Sequence, residues 1–89
     1  MAAKPLEGQV ALVTGAAKRI GRSIALCLAA EGADIVVNYQ SSQPEALQVV
    51  EEIKLLGRRA IAVQADVSQR ADVQKLFAAT EAEIGRAHV

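Results

Sequence analysis

An α/β fold laid out as β-α-β-α-β-α with parallel strands is what this sequence predicts, on three observations. Short continuous apolar runs alternate with longer amphipathic ones along the chain. The links between runs are a few residues long, and Gly32, Gly57 and Gly85 stand where the amphipathic runs stop. Hydrophobic residues make up 52% but aromatic ones only 2%. A core of Ala, Val, Leu and Ile suits thin layers of strand and helix rather than a centre of bulky rings.

The first strand is read at Gln9-Val10-Ala11-Leu12-Val13, short and apolar throughout, as a strand covered on both faces should be. Thr14 to Arg19 breaks it. A helix follows, with Ile20, Ile24 and Cys27/Leu28 as its inward stripe and Gly32 as its left-handed stop. Asp34 to Tyr39 is the second strand. Ser42 and Glu45 then form a capping-box pattern, with Pro44 tolerated in the first turn. The helix they open turns Ala46, Val49/Val50, Ile53 and Leu56 inward and ends at Gly57; Arg58 and Arg59 are read as solvated loop charges. Ala60 to Gln64 is the third strand. Ser68 is the expected N-cap of a third helix whose stripe is Val73, Leu76/Phe77, Thr80 and Ile84. Strands alternating with helices argue right-handed crossovers and helices on the sheet faces. This is the N-terminal half of a doubly wound, Rossmann-type nucleotide-binding fold.

At 89 residues the chain is too short for a second domain. It reads as one incomplete domain over residues 1–89, and a chain of this size buries only about 60–65% of its unfolded surface. Ten basic and ten acidic residues give a formal net charge of +0, so nothing global draws it to nucleic acid or a membrane surface. The single cysteine, Cys27, rules out an internal disulfide and fits a reducing compartment; within its apolar run it reads as a small buried hydrophobe. The start lacks a signal-peptide pattern and no apolar run reaches the roughly 18 residues that span a bilayer. The cytoplasm is the expected location.

The chemistry is concentrated between Thr14 and Gly21. A turn from strand to helix aims backbone N–H groups and the positive end of the helix dipole at one place, where a phosphate belongs. Gly15 permits the turn, and Gly21 lets the helix lie close to the strand. The spacing is neither G-x-G-x-x-G nor a P-loop. Lys18, Arg19 and Arg22 crowd the helix start, where each cation is disfavoured by roughly 0.3–1 kcal/mol. They are either ordinary solvated charges or the partners of a bound anion, and their clustering favours the anion. At the end of the second strand, where folds of this kind that prefer NAD place an acid for the ribose hydroxyl, the sequence reads Asn38-Tyr39-Gln40-Ser41-Ser42. Amides and hydroxyls there favour a 2′-phosphate and so NADP(H). Ser42 is equally readable as a helix cap or a ligand contact. Asp66-Val67 follows the third strand at the ligand-binding edge of the sheet, where a carboxylate accepts from an adenine amino group.

These segments together resemble the short-chain dehydrogenase/reductase family, NADPH-dependent reductases in particular: 3-oxoacyl-acyl-carrier-protein, naphthol and pteridine reductases. Thr14-Gly15 through Gly21 is similar to the family's T-G-x-x-x-G-x-G loop, and Asp66-Val67 to its adenine-contacting pair. The resemblance implies cofactor contacts from Gly15, Lys18, Arg19, Ile20 and Gly21, from Asn38, Tyr39, Ser41 and Ser42, and from Asp66 and Val67. Arg19 stands where the family has its middle glycine; some reductases carry Arg there and set it on the cofactor phosphate.

The family's Ser, Tyr-x-x-x-Lys and Asn lie downstream of everything matched here. The only tyrosine is Tyr39, with Gln43 four residues on, and His88 reads as a solvated terminal residue. No catalytic residue and no metal ligand is assigned. The resemblance implies an NADP-dependent oxidoreductase acting on a carbonyl or alcohol, of which this is an N-terminal fragment, inactive alone. The alternative is a non-catalytic nucleotide-binding or subunit-interaction module. The family implies homo-oligomers, and an uncovered first strand invites self-association.

Overall fold

In the computed structural model, the described residues are 5–83. The elements run β1 (Val10–Val13), α1 (Arg19–Ala30), β2 (Asp34–Tyr39), α2 (Gln43–Leu55), β3 (Ala60–Gln64) and α3 (Arg70–Glu83). The sheet is parallel in the order β1-β2-β3. Val10 stands opposite Asp34 and Val13 opposite Val37, while Ile35 stands opposite Ala60 and Tyr39 opposite Gln64. The predicted β-α-β-α-β-α layout is the observed one. The expected third-helix end at Ile84 and Gly85, and the Arg86-to-Val89 tail with His88, lie outside the described residues.

Strand alternation builds two cores. On one face Val13, Ile35 and Val37 pack with Ala25 and Ala29 of α1 and with Ala46, Val49, Val50 and Ile53 of α2. On the other, Val10 and Val36 meet Leu76 of α3, with Leu12, Ile61 and Val63 against them. β2, central and buried almost throughout, is the spine of the fold.

The first two helices stop as their glycines predict. The Ala33 N–H donates to the Leu28 carbonyl and the Gly32 N–H to that of Ala29 (3.1 and 3.0 Å). Arg58 and Gly57 repeat the pattern on Ile53 and Lys54 (3.4 and 2.9 Å). Both are Schellman closures, with Gly32 at φ 107° and Gly57 at φ 83°, a backbone that a side chain opposes.

Several local expectations are corrected. In α1 the inward face is the small-residue line Gly21-Ala25-Ala29, and of the expected apolar stripe only Leu28 packs against the core, half-buried. Ala25 and Ala29 are fully buried, whereas Ile20 is 75% exposed, and Ile24 and Cys27 are exposed with it. Small side chains let the helix axis approach the sheet, which rotates the larger residues outward. In α2 and α3 the inward stripes hold at Ala46, Val49, Val50, Ile53, Leu76 and Thr80, but Leu56 and Phe77 are exposed. Ser42 is the N-cap residue of α2 but makes no side-chain capping bond. Ser68 lies one residue short of the N-cap place, since α3 begins at Arg70, and its hydroxyl donates to Asp66 Oδ1 at 2.6 Å. Arg58 and Arg59 are ion-paired rather than simply solvated: Asp34 Oδ1 lies 3.3 Å from an Arg58 terminal nitrogen, and Arg59 Nε donates to Asp34 Oδ2 at 3.2 Å.

Candidate dinucleotide-binding site

The C-terminal ends of the three strands open onto one edge of the sheet, and the three candidate segments meet there. The first is the turn from β1 into α1. The position of a Cβ on Gly21 would collide with the Gly15 carbonyl oxygen and lie 2.9 Å from its carbon. Only glycine lets the first turn of the helix seat on the loop that carries Gly15. Lys18, the N-cap residue, is extended and makes no side-chain capping bond; the first turn contains no acid. The first N–H bonded back along the helix is that of Arg22, to the Lys18 carbonyl at 3.3 Å. The helix start thus combines an uncapped positive dipole end with a glycine-floored approach, the arrangement that receives an anion.

The cations of this turn separate in space. Arg22 is bound twice by the Glu52 carboxylate, at 2.6 Å to each oxygen, and belongs to the α1–α2 contact. Lys18 Nζ lies 3.6 Å from Glu45 Oε2. Arg19 is exposed and has a φ of 55°, the left-handed backbone that glycine favours. Arg19 and Ile20 line an open apolar hollow on the outer face of α1 with Ile24, Cys27 and Leu28, whose volume is about 570 Å³.

The second segment follows β2. A pocket of about 190 Å³ is lined by Gly15, Ala17, Lys18, Tyr39, Gln40, Ser41 and Ser42. Five of the residues singled out from sequence therefore share one cavity. Ser42 makes no side-chain capping bond to α2 and stands on this wall. Asn38 is near but differently engaged. It is 3% exposed, and its Nδ2 donates to the carbonyls of Val63 (3.3 Å) and Ala65 (3.1 Å). Its Oδ1 accepts from the Gly15 N–H at 3.4 Å, and its carbonyl accepts from Ala16 N–H at 3.0 Å. Asn38 ties the turn after β1 to the loop after β3, and both amide hydrogens are spent doing so. The sequence reads Asn38 as a cofactor contact; the clamp is what the structure adds, and an amide in an otherwise apolar buried strand is its signal in the sequence.

The third segment follows β3. Asp66 Oδ1 accepts from the Ser68 hydroxyl (2.6 Å) and the Ser68 N–H (3.0 Å). The hydroxyl, and after it the N–H, hold this carboxyl below the usual carboxylate range, so it stands as an ionised acceptor. Gln40 Nε2 reaches Asp66 Oδ2 at 3.4 Å and Gln64 Nε2 donates to the Gln40 carbonyl at 3.1 Å, joining the second and third segments. Val67 is 48% exposed beside them. Gln40, which carries that link, was passed over in the sequence as one residue of an acid-free stretch.

This constellation agrees with the family comparison: residues 9–89 match the short chain dehydrogenase family. The chain belongs to that family. It is 54% identical over 84 residues to an uncharacterized oxidoreductase of Methylorubrum extorquens, covering 94% of this chain and 34% of that protein. It is 50% identical over 74 residues to a hydroxynaphthalene reductase-like protein of Metarhizium brunneum, covering 83% of this chain and 28% of the relative. A short chain dehydrogenase from Burkholderia cenocepacia, solved in complex with NADP, superposes with a TM-score of 0.83 at 44% identity, over 86% of this chain and 31% of that one. The chain spans about a third of the length of the relatives it matches. It is the N-terminal portion of a short-chain dehydrogenase fold, in a family that uses a nicotinamide cofactor. Among the described residues, no helix is long and apolar enough to cross a membrane.

Proposed function

We propose that residues 1–89 form the NADP(H)-binding part of an oxidoreductase domain that moves hydride between NADPH and a carbonyl or alcohol. The nicotinamide dinucleotide supplies the hydride; this chain's residues bind and orient it. The observation that carries the reading is the junction of two features: an uncapped helix start floored by Gly15 and Gly21, and beside it a pocket walled by Lys18, Ser41 and Ser42 whose strand end contributes no acid. The first suits a pyrophosphate, the second a 2′-phosphate. Arg19 adds a cation on the same turn and Tyr39 an aromatic wall, while Ile20 lines the separate hollow on the outer face of α1. Asp66 accepts from the adenine amino group with Val67 against the ring. Asn38 acts by holding the two flanking loops.

Binding by the NADP complex of the Burkholderia relative supports the cofactor class. The choice of NADP(H) over NAD(H) rests on the pocket in this chain. Calorimetric titration with NADPH and NADH tests it: NADPH is expected to bind more tightly, and equal or tighter binding of NADH overturns the 2′-phosphate assignment. Proton transfer in this family's chemistry needs a Tyr-x-x-x-Lys pair, which residues 1–89 do not contain. These residues alone are therefore expected to give no carbonyl-coupled NADPH oxidation, which a spectrophotometric assay at the nicotinamide band checks.

A further inference from the structure

A lysine of the pocket assigned to the 2′-phosphate is paired with an acid that no strand-end motif would reveal. In sequence Glu45 reads as half of a capping box, reaching back toward the start of α2. In the structure Ser42 makes no side-chain capping bond, and the Glu45 carboxylate lies 3.6 Å from Lys18 Nζ. Lys18 is itself a wall of the 190 Å³ pocket, next to Ser41 and Ser42. A carboxylate from the first turn of α2 is thus paired with a residue that lines the pocket, although the end of β2 supplies none.

From this geometry we infer that Glu45 is a specificity-determining residue, which restrains the preference for the 2′-phosphorylated cofactor by holding Lys18. The inference rests on the cofactor reading above and adds to it a residue that neither the glycine turn nor the strand end contains. A phosphate entering the pocket competes with Glu45 for one ammonium group. NADH, with a neutral hydroxyl at that place, does not enter this competition. The two side chains are 57% and 44% exposed, so solvent and salt screen the pair and its influence is modest. Glu45→Gln keeps the shape and the length of the side chain and removes the charge.

The experiment is titration of the unaltered chain, Glu45→Gln, Lys18→Gln and the double variant with NADPH and with NADH, at low and high salt. Glu51→Gln, an acid removed from the exposed side of the same helix, controls for net charge. Glu45→Gln is expected to raise the NADPH:NADH affinity ratio about two- to fivefold at low salt, as an exposed pair allows. The gain should shrink at high salt and vanish when Lys18 is already Gln. An unchanged ratio in Glu45→Gln, an equal rise in Glu51→Gln, or a gain that survives in the Lys18→Gln background each overturns the inference while leaving NADPH preference in place. A chain that binds neither cofactor, or both equally, overturns the cofactor reading and this inference with it.

Discussion

Gly21 and Gly15 are in backbone contact across the turn from β1 to α1: the space for a side chain on Gly21 is taken by the Gly15 carbonyl. Because a backbone atom is the obstacle, no rotamer change relieves it. Gly21→Ala must lift the first turn of α1 off the loop, and Ala25 and Ala29 follow it away from the sheet. A cost of about 1–3 kcal/mol is expected from urea unfolding. Binding of NADPH and NADH should weaken together, because the contact shapes the approach to the pyrophosphate that both share. Loss confined to NADPH would mean that the turn serves the 2′-phosphate instead.

Arg19 holds a φ of 55° where the family loop has glycine. A left-handed backbone costs a side chain roughly 1–2 kcal/mol, a cost that glycine does not carry. Arg19→Gly is therefore expected to stabilise the fold by about 1 kcal/mol, a rise of several degrees in Tm for a chain of this size. The same change removes a cation from the helix start, so NADPH affinity should fall, and fall more than that of NADH. Greater stability with unchanged NADPH binding would show that the strained backbone at Arg19 serves no cofactor contact.

Asp66 offers a readout in pH. Its carboxyl is held below the ordinary value first by the Ser68 hydroxyl and then by the Ser68 N–H. A depressed folded-state pKa contributes stability that is present above the unfolded pKa and lost as pH falls through the folded one. Ser68→Ala removes the larger of the two bonds and should move the Asp66 pKa upward, as carboxyl-carbon NMR titration would register. An unmoved pKa would show that the hydroxyl contact is not formed in solution.

What could be read from the chain follows the range of the forces involved. β2 and β3 fall where the apolar runs placed them, and α1 and α2 close at Gly32 and Gly57, because burial pattern and a left-handed stop are properties of a few neighbouring residues. The inward face of α1 was misplaced: Ile20, Ile24 and Cys27 are the more hydrophobic stripe, but Gly21, Ala25 and Ala29 are the one that permits close approach to the sheet. The side-chain partners were the least legible. Asn38 bonds to residues 23 to 27 positions away, and Lys18 meets Glu45 only because α1 and α2 start side by side. Local capping rules assigned Ser42, Glu45 and Ser68 to helix ends; a tertiary neighbour, Lys18, engages Glu45 instead, and Ser68 turns to Asp66 two residues before it.

The final prediction concerns the edge of the sheet. Among the described residues β1 pairs with β2 alone, so its other side presents unpaired N–H and C=O groups along Val10–Val13. No proline, lysine or bulge blunts that edge, and beside it the outer face of α1 exposes Ile20, Ile24 and Cys27. Parallel sheets are ordinarily buried on both faces and flanked on both sides, and an apolar edge of this kind templates another strand. The 89-residue chain is accordingly expected to self-associate through β1. Sedimentation should give a mass that rises with concentration, and the outward-facing amides of Val10–Val13 should become more protected from exchange as it does. Leu12 packs against the Val36–Leu76 core, so Leu12→Lys would disturb the fold as well as the edge. Ile24→Lys, on the exposed face of α1, is the cleaner companion and should weaken association without unfolding the chain. A monomer at all concentrations, with those outward amides exchanging freely, would exclude β1 as a contact between copies.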